Sequence, residues 1–242
     1  MKISVANITD PGGRKINDDT VCIYTERKKA CAFVGDGLGG YAGGRQASQT
    51  AGEVMIRASQ KRSMLLKENL LEAAAQAQES VCELQRNTSG NMKTTLVYLA
   101  VEGDSARWMH IGDSRLYQFY NGKLVCQTAD HSVSQMAVLM GDITVEQIRF
   151  HEDRNRVLRA LGGENAKAEV SDIMKISRGK TAFLLCTDGF WEYVYESEME
   201  QTLQRSKTPE AWLQEMEKIL LSRVASDNDN YSAAAVILSK TL

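Results

Sequence analysis

The residues best suited to chemistry in this chain are aspartates, and what marks them is where they fall against apolar runs. Cys31-Ala32-Phe33-Val34 leads into Gly35-Asp36-Gly37, Trp108-Met109-His110-Ile111 into Gly112-Asp113, and Phe183-Leu184-Leu185-Cys186 into Thr187-Asp188-Gly189. Near the C-terminus the order inverts, and Asp227-Asn228-Asp229-Asn230 precedes the run Ala233 to Ser239. In an antiparallel sheet the end of one strand lies beside the start of its neighbour, so trailing and leading aspartates can share one rim. A lone Asp-Gly reads as a turn; four strand-end aspartates read as a site. The first hairpin can be counted. With Arg27-Lys28 as its turn Asp36 faces Asp19, and a slip of one brings Asp18 opposite instead. Either register crowds Asp18, Asp19 and Asp36. Like charges so placed repel unless protons or cations intervene. Carboxylates without His or Cys beside them favour hard, oxygen-liganded ions such as Mg²⁺ or Mn²⁺.

The elements that must carry these groups are legible in the hydrophobic spacing. Ala47, Ala51, Val54, Met55 and Ala58 share one face of a helix over Gln46 to Arg62, and Leu70, Ala73, Ala77, Val81 and Leu84 do so over Lys67 to Arg86. A third helix is expected from Pro209 to Val224, with Thr208 as N-cap and Pro in the first turn. Strand-like runs lie at Ile3–Ile8, Thr20–Thr25, Lys29–Val34, Thr94–Val101, Arg107–Ile111, Leu116–Tyr120, Glu169–Ile176, Thr181–Cys186 and Ala233–Ser239. Several are separated only by hairpin-sized gaps, and Asn121-Gly122 is the strongest turn signal among them. Adjacent strands without intervening helices pair antiparallel and leave the helices to cover the sheet faces. Ser132 to Gly163 breaks this rhythm with a short helix, a capping-box spacing from Thr144 to Gln147 and the charged stretch His151 to Arg154. It is expected to be a mobile excursion from a single domain over residues 1–242.

Composition narrows the function classes. With 43% hydrophobic and 25% charged residues the 242-residue chain is globular. A net charge of -2 leaves no basic excess for a nucleic-acid backbone or an anionic membrane. The longest apolar run, Ala233 to Leu238, is far too short for a span, and the start turns polar too soon for a secretory leader. Five cysteines with no C-x-x-C pair point to free thiols. A soluble cytoplasmic protein is the expectation.

Competing motifs weaken on inspection. Gly35-x-Gly37-x-x-Gly40 matches a dinucleotide fingerprint, yet Asp36 would aim a negative charge at the pyrophosphate and the flanking strands read as antiparallel. No cysteine is followed six residues later by the arginine that a cysteine-nucleophile phosphatase needs. Asp227-Asn228-Asp229-Asn230 opens like an EF-hand loop but has Ser232 where glycine is required. His110, His131 and His151 are scattered without zinc spacing and read as strand or cap residues, and the Trp191–Tyr195 aromatics as core.

Taken together, Gly13-Arg14-Lys15-Ile16-Asn17-Asp18-Asp19, Gly35 to Gly40, Lys93-Thr94-Thr95, His110 to Arg115, Asp130-His131-Ser132, Thr187-Asp188-Gly189 and Asp229 to Ser232 stand in the order of the type 2C protein phosphatases. The chain resembles the compact bacterial branch of that metal-dependent Ser/Thr phosphatase family over nearly its whole length, and Ile143 to Gly162 resembles that branch's flap. The resemblance implies an α+β fold, a four-layer α-β-β-α sandwich of two antiparallel sheets flanked by helices, with two Mn²⁺ or Mg²⁺ ions at one edge. By it Asp36 bridges both ions, the Gly37 carbonyl and Asp18 serve the second, Asp188 and Asp229 hold the first, and Asp113 with Asp188 binds a weaker third. Arg14 grips the substrate phosphate and Asp19 orients metal-bound water. Two ions lower the pKa of a bridging water and neutralise charge on the phosphoryl oxygens, and an arginine fork suits phosphate.

The expected activity is hydrolysis of phosphoserine and phosphothreonine in phosphoproteins, substrates of a cognate kinase, by a monomer. Against the family pattern Asp18 stands for glutamate, Lys93 for glycine, Thr187 for serine, and Leu38 for the histidine of eukaryotic members. Asp18 and Lys93 support the alternative of a catalytically weak, phosphatase-like binding module. A dinucleotide-binding enzyme is a distant third.

Overall fold

The computed structural model describes residues 1–39 and 43–240, and Gly40 of the glycine-rich motif lies outside them. Two antiparallel sheets form the middle of the molecule. One has β1 (Lys2–Asp10), β13 (Tyr231–Lys240), β12 (Gly179–Cys186), β8 (Arg115–Tyr120) and β9 (Lys123–Gln127) in that spatial order. The other has β10 (Glu169–Val170), β7 (Ser105–Ile111), β6 (Leu96–Glu102), β3 (Lys29–Gly35) and β2 (Thr20–Glu26), with β11 (Met174–Lys175) also on β7. A two-stranded ribbon, β4 (Gly37–Leu38) and β5 (Lys93–Thr94), continues from β3.

The period-2 alternation of strands decides what faces what. Ala30, Ala32 and Val34 of β3 meet Phe183, Leu185, Ala234 and Val236 of the other sheet in an inner core. Cys31 and Phe33, on the opposite face, meet helices α1 (Gly43–Lys61) and α2 (Lys67–Thr88). The second sheet is covered by α4 (Asp188–Trp191), α5 (Glu196–Arg205) and α6 (Pro209–Leu221). Helices, sheet, sheet, helices: the four-layer sandwich is present. The apolar stripe expected for α1 is the one buried, and its alanines at 47 and 51 let the helix sit close to β2 and β3.

Several boundaries differ for physical reasons. The run expected as one strand over Thr94–Val101 breaks at Thr95, whose N–H donates to the Asp36 carbonyl at 2.9 Å rather than into the ladder. The run Glu169–Ile176 splits into β10 and β11, with Ser171 exchanging hydrogen bonds with the Trp108 backbone between them. The Asn121-Gly122 turn, with φ of 49° and 80°, is followed by β9, a short edge strand with no fully buried residue and no apolar alternation. Helix α5 was hidden too, because only Met199, Thr202 and Leu203 of its ten residues are buried. The segment expected as a mobile excursion does leave the sheets, through α3 (Val133–Met140) and a 3-10 turn over Val145–Phe150 capped by Thr144 and Gln147. It is anchored, however. Ile148 is buried, and Arg149 donates to the Trp191 carbonyl and to both Glu196 oxygens. Among the described residues no helix is long and apolar enough to cross a membrane.

Candidate active site

The aspartates gather at one end of the sandwich, and the rim they share belongs to two sheets rather than one. Asp36 and Asp113 follow β3 and β7, which run the same way on either side of β6. Asp188 follows β12 and Asp229 shortly precedes β13, its antiparallel neighbour in the other sheet. The β2–β3 register pairs Thr20 with Gly35, so Asp19 lies across from Asp36 as counted, and Arg27 takes φ 49° to make the turn.

Each carboxylate stands on a pinned backbone. The Asp36 N–H donates to Thr95 Oγ1 at 2.8 Å, and the same hydroxyl bonds Ser114 Oγ at 2.7 Å, stitching the ends of β3 and β7 together. Gly37 passes so close to the start of α1 that a Cβ there would lie 2.2 Å from the Gly44 oxygen and 2.5 Å from the Asp18 carbonyl. Only glycine fits. Asn230 holds the Pro11–Asp18 loop, accepting the Asp18 N–H at 2.7 Å and donating to the Pro11 and Ile16 carbonyls. Thr187 donates its hydroxyl to Asp19 Oδ2 at 2.8 Å and accepts the Ser232 N–H at 3.0 Å, tying the first hairpin to the other sheet.

The Asp113 main chain is held from two sides. The Trp191 indole N–H donates to its carbonyl at 3.0 Å. Trp191 lies under the Arg115 guanidinium at 3.4 Å, and Arg115 in turn makes a buried two-pronged pair with Asp130, both bonds 2.8 Å. On the other side His131 and Gly112 exchange hydrogen bonds, N–H to Nδ1 at 3.1 Å and N–H to carbonyl at 2.9 Å.

His110, His131 and Glu169 bring ligand-type atoms within 4.8 Å of one another, although the sequence scatters them. The His rings stack with 5° between their planes, so their in-plane lone pairs do not converge on one ion. His131 accepts the Gly112 N–H at Nδ1, which leaves the proton on Nε2, 3.1 Å from Glu169 Oε1. They act as strand and loop ties.

Thr95, Ser114, Thr187 and Asn230 sit inside the quoted motifs and Trp191 lies just beyond one, but no residue-type rule reveals their clamping roles. Those appear only once separate strands meet.

The electrostatics are those of an acidic cluster short of positive charge. Burial, then repulsion from Asp188, Asp19, Asp113 and Asp229, pushes the Asp36 carboxyl well above its usual range. Burial pushes Asp19 up to about 8 against the Thr187 and Ser232 hydrogen bonds, and pushes Asp188 up to about 7 with help from Glu192 and Asp229. Asp113 is raised by burial and by Asp188, and its Oδ1 is buried without any hydrogen-bond partner. Asp18 is raised chiefly by burial while Oδ1 accepts the Arg45 N–H of α1 at 2.9 Å. Arg14 and Asp229 lie exposed at the mouth, with Nε 3.3 Å from Oδ1 and Nη2 3.4 Å from Oδ2. An all-oxygen donor set, mutually repelling and with an orphaned buried oxygen, fits hard divalent cations.

Known proteins share this plan. The family model for protein phosphatase 2C matches residues 13–223. The serine/threonine phosphatase stp of Listeria innocua is 29% identical over 97% of this chain and 94% of its own length, and that of Listeria monocytogenes serotype 4b is 32% identical over 83% and 82%. The crystal structure of the Mycobacterium tuberculosis serine/threonine phosphatase PstP/Ppp superposes with a TM-score of 0.84 at 27% identity, covering 98% of this chain and 99% of that one. The PstP catalytic domain in complex with two manganese ions gives 0.83 at 25% identity, covering 98% and 99%. The chain therefore belongs to the protein phosphatase 2C family and is a protein serine/threonine phosphatase.

Proposed function

We propose that the chain hydrolyses phosphoserine and phosphothreonine in phosphoproteins with two Mn²⁺ or Mg²⁺ ions resident among its rim aspartates. The observation that carries this is the cluster of Asp19, Asp36, Asp113 and Asp188, each raised by burial and by neighbouring carboxylates, with Asp113 Oδ1 buried and unpartnered. Asp36 would serve both ions. Asp188 and Asp229 would complete the first set, the Gly37 carbonyl and Asp18 the second, and Asp113 with Asp188 a third. When bound, the ions supply acidification of water and neutralisation of charge on the phosphoryl oxygens. The manganese-bound PstP catalytic domain, similar over 98% of this chain, supports the same assignment.

The remaining chemistry falls to this chain's own groups. Arg14, exposed at the mouth and swung toward Asp229, presents its fork to the substrate phosphate. Asp19, with Oδ2 engaged by Thr187, is fixed in orientation and uses its other oxygen to align the attacking water in line with the leaving alkoxide. No side chain acts as nucleophile, so no phospho-enzyme forms. Asp18 keeps only part of its carboxylate for an ion, because Oδ1 caps α1; it would reach that ion through water. The substrates are phosphoproteins made by a Ser/Thr kinase, and the enzyme works as a cytoplasmic monomer.

The test is phosphopeptide hydrolysis with and without Mn²⁺. Activity is expected only with the ion, and Asp36→Asn is expected to lose about a hundredfold or more in kcat. Metal-independent turnover, or full activity in Asp36→Asn, refutes the proposal. The capped state of Asp18 favours one other reading, a binding module of the same fold, which would take up Mn²⁺ weakly in calorimetry and turn nothing over.

A further inference from the structure

Lys93 lines a groove together with Leu38, two residues from Asp36 of the rim. Strand β5 is held on both edges. Gly37 pairs with Thr94 and Leu38 with Lys93 on one side. On the other, Thr94 and Leu161 exchange N–H···O bonds of 3.0 and 2.8 Å. The Gln85 side chain also donates to the Met92 and Gly162 carbonyls, fixing the approach to the strand. With Thr94 fully buried, the alternation of side chains along a strand turns Lys93 to the opposite face. That face lines an open groove of about 790 Å³ between Leu38 and the segment 155–165, where Arg156 and Leu158 form the far wall. No carboxylate among the described residues lies within 4.0 Å of the Lys93 ammonium. Lys93 and Arg156 outnumber Glu164, the one acidic group of the lining.

The groove comes nearest to the aspartate rim at Leu38. Leu38, opposite Lys93, is two residues beyond Asp36. Extended chain advances about 3.3 Å per residue, so Lys93 sits roughly 7 Å along from the aspartates. A substrate peptide with its phosphorylated residue at the rim lays a neighbour two or three positions away over Lys93. The rim aspartates repel acidic side chains, so an ammonium without a carboxylate partner beside them discriminates by charge. We propose that Lys93 is a specificity-determining residue that selects phosphopeptides carrying a carboxylate two or three residues from the phosphorylated position. This rests on the phosphatase reading given above.

The experiment compares kcat/KM, in Mn²⁺, on paired phosphothreonine peptides identical except for Glu or Lys at the second and third positions on either side. Wild-type protein is expected to prefer the Glu peptide by about fivefold, through KM rather than kcat, and to lose that preference as salt rises. Lys93→Glu is expected to reverse the ratio, and Lys93→Gly to bring it near one. Equal kcat/KM on both peptides, or a ratio unmoved by Lys93→Glu, overturns this inference alone. No turnover of either peptide by the wild-type protein overturns the phosphatase reading with it.

Discussion

At the scale of single residues, the site contains groups with two duties that substitutions can separate. Asp18 caps α1 through Oδ1 and stands beside the acidic cluster. Asp18→Asn retains an oxygen for the Arg45 N–H and loses the charge; it is expected to melt within about 0.5 kcal/mol of wild type yet bind Mn²⁺ more weakly in calorimetry. Asp18→Ala loses both and is expected to cost about 1 kcal/mol in denaturant unfolding. A drop in stability for Asp18→Asn as large as that for Asp18→Ala contradicts the capping role. Arg14 has a simpler duty. Its pairing with Asp229 is exposed and contributes little to folding, so Arg14→Ala should leave the melting temperature unchanged while raising KM about tenfold or more on a phosphopeptide.

At the scale of elements, the ends of strands are stitched by hydroxyls. Thr95 Oγ1 serves the Asp36 N–H and Ser114 Oγ together in a fully buried position. Thr95→Val is nearly isosteric and leaves both partners unpaired away from water, which costs about 1–3 kcal/mol. Its expected outcome is an earlier urea midpoint together with a lowered kcat, since the Asp36 main chain loses its anchor. Thr95→Ser keeps the hydroxyl and is expected to recover most of both. A stable but inactive Thr95→Val would place the effect on chemistry alone.

At the scale of the whole molecule, two stacked sheets bring their negative ends to one edge, and the fold bears that strain until cations arrive. Asp19 and Asp188 have folded-state pKa values of about 8 and about 7, above the ordinary 3.8. A raised pKa means the folded state holds more protons than the unfolded one between those limits. The stabilisation is therefore complete below about pH 4 and is lost as pH rises through 7 to 8. Metal-free protein is expected to melt progressively lower from pH 5 to pH 8. Saturating Mn²⁺, at about a hundred times its Kd, is expected to raise the melting temperature by roughly 5–10 °C at pH 8 and far less at pH 5. A melting temperature that climbs over this range without metal contradicts the shared-rim electrostatics.

The sequence by itself determined the strand-end aspartates, the first hairpin to within one residue of register, the stripes of α1 and α2, and the ordered motifs that place the chain in its family. Those features are local: hydrophobic period, turn residues and short spacings carry them. Tertiary structure alone decided that the rim is built from two sheets, that Thr95 leaves its ladder for Asp36, and that Arg115, Trp191 and His131 converge behind Asp113. It also decided that Asp18 is half spent on a helix N-terminus and that Arg149 bonds the segment's 3-10 turn to Trp191 and Glu196. Each of these depends on contacts between residues tens to hundreds of positions apart, and no local pattern records which hydroxyl or indole will meet which backbone group.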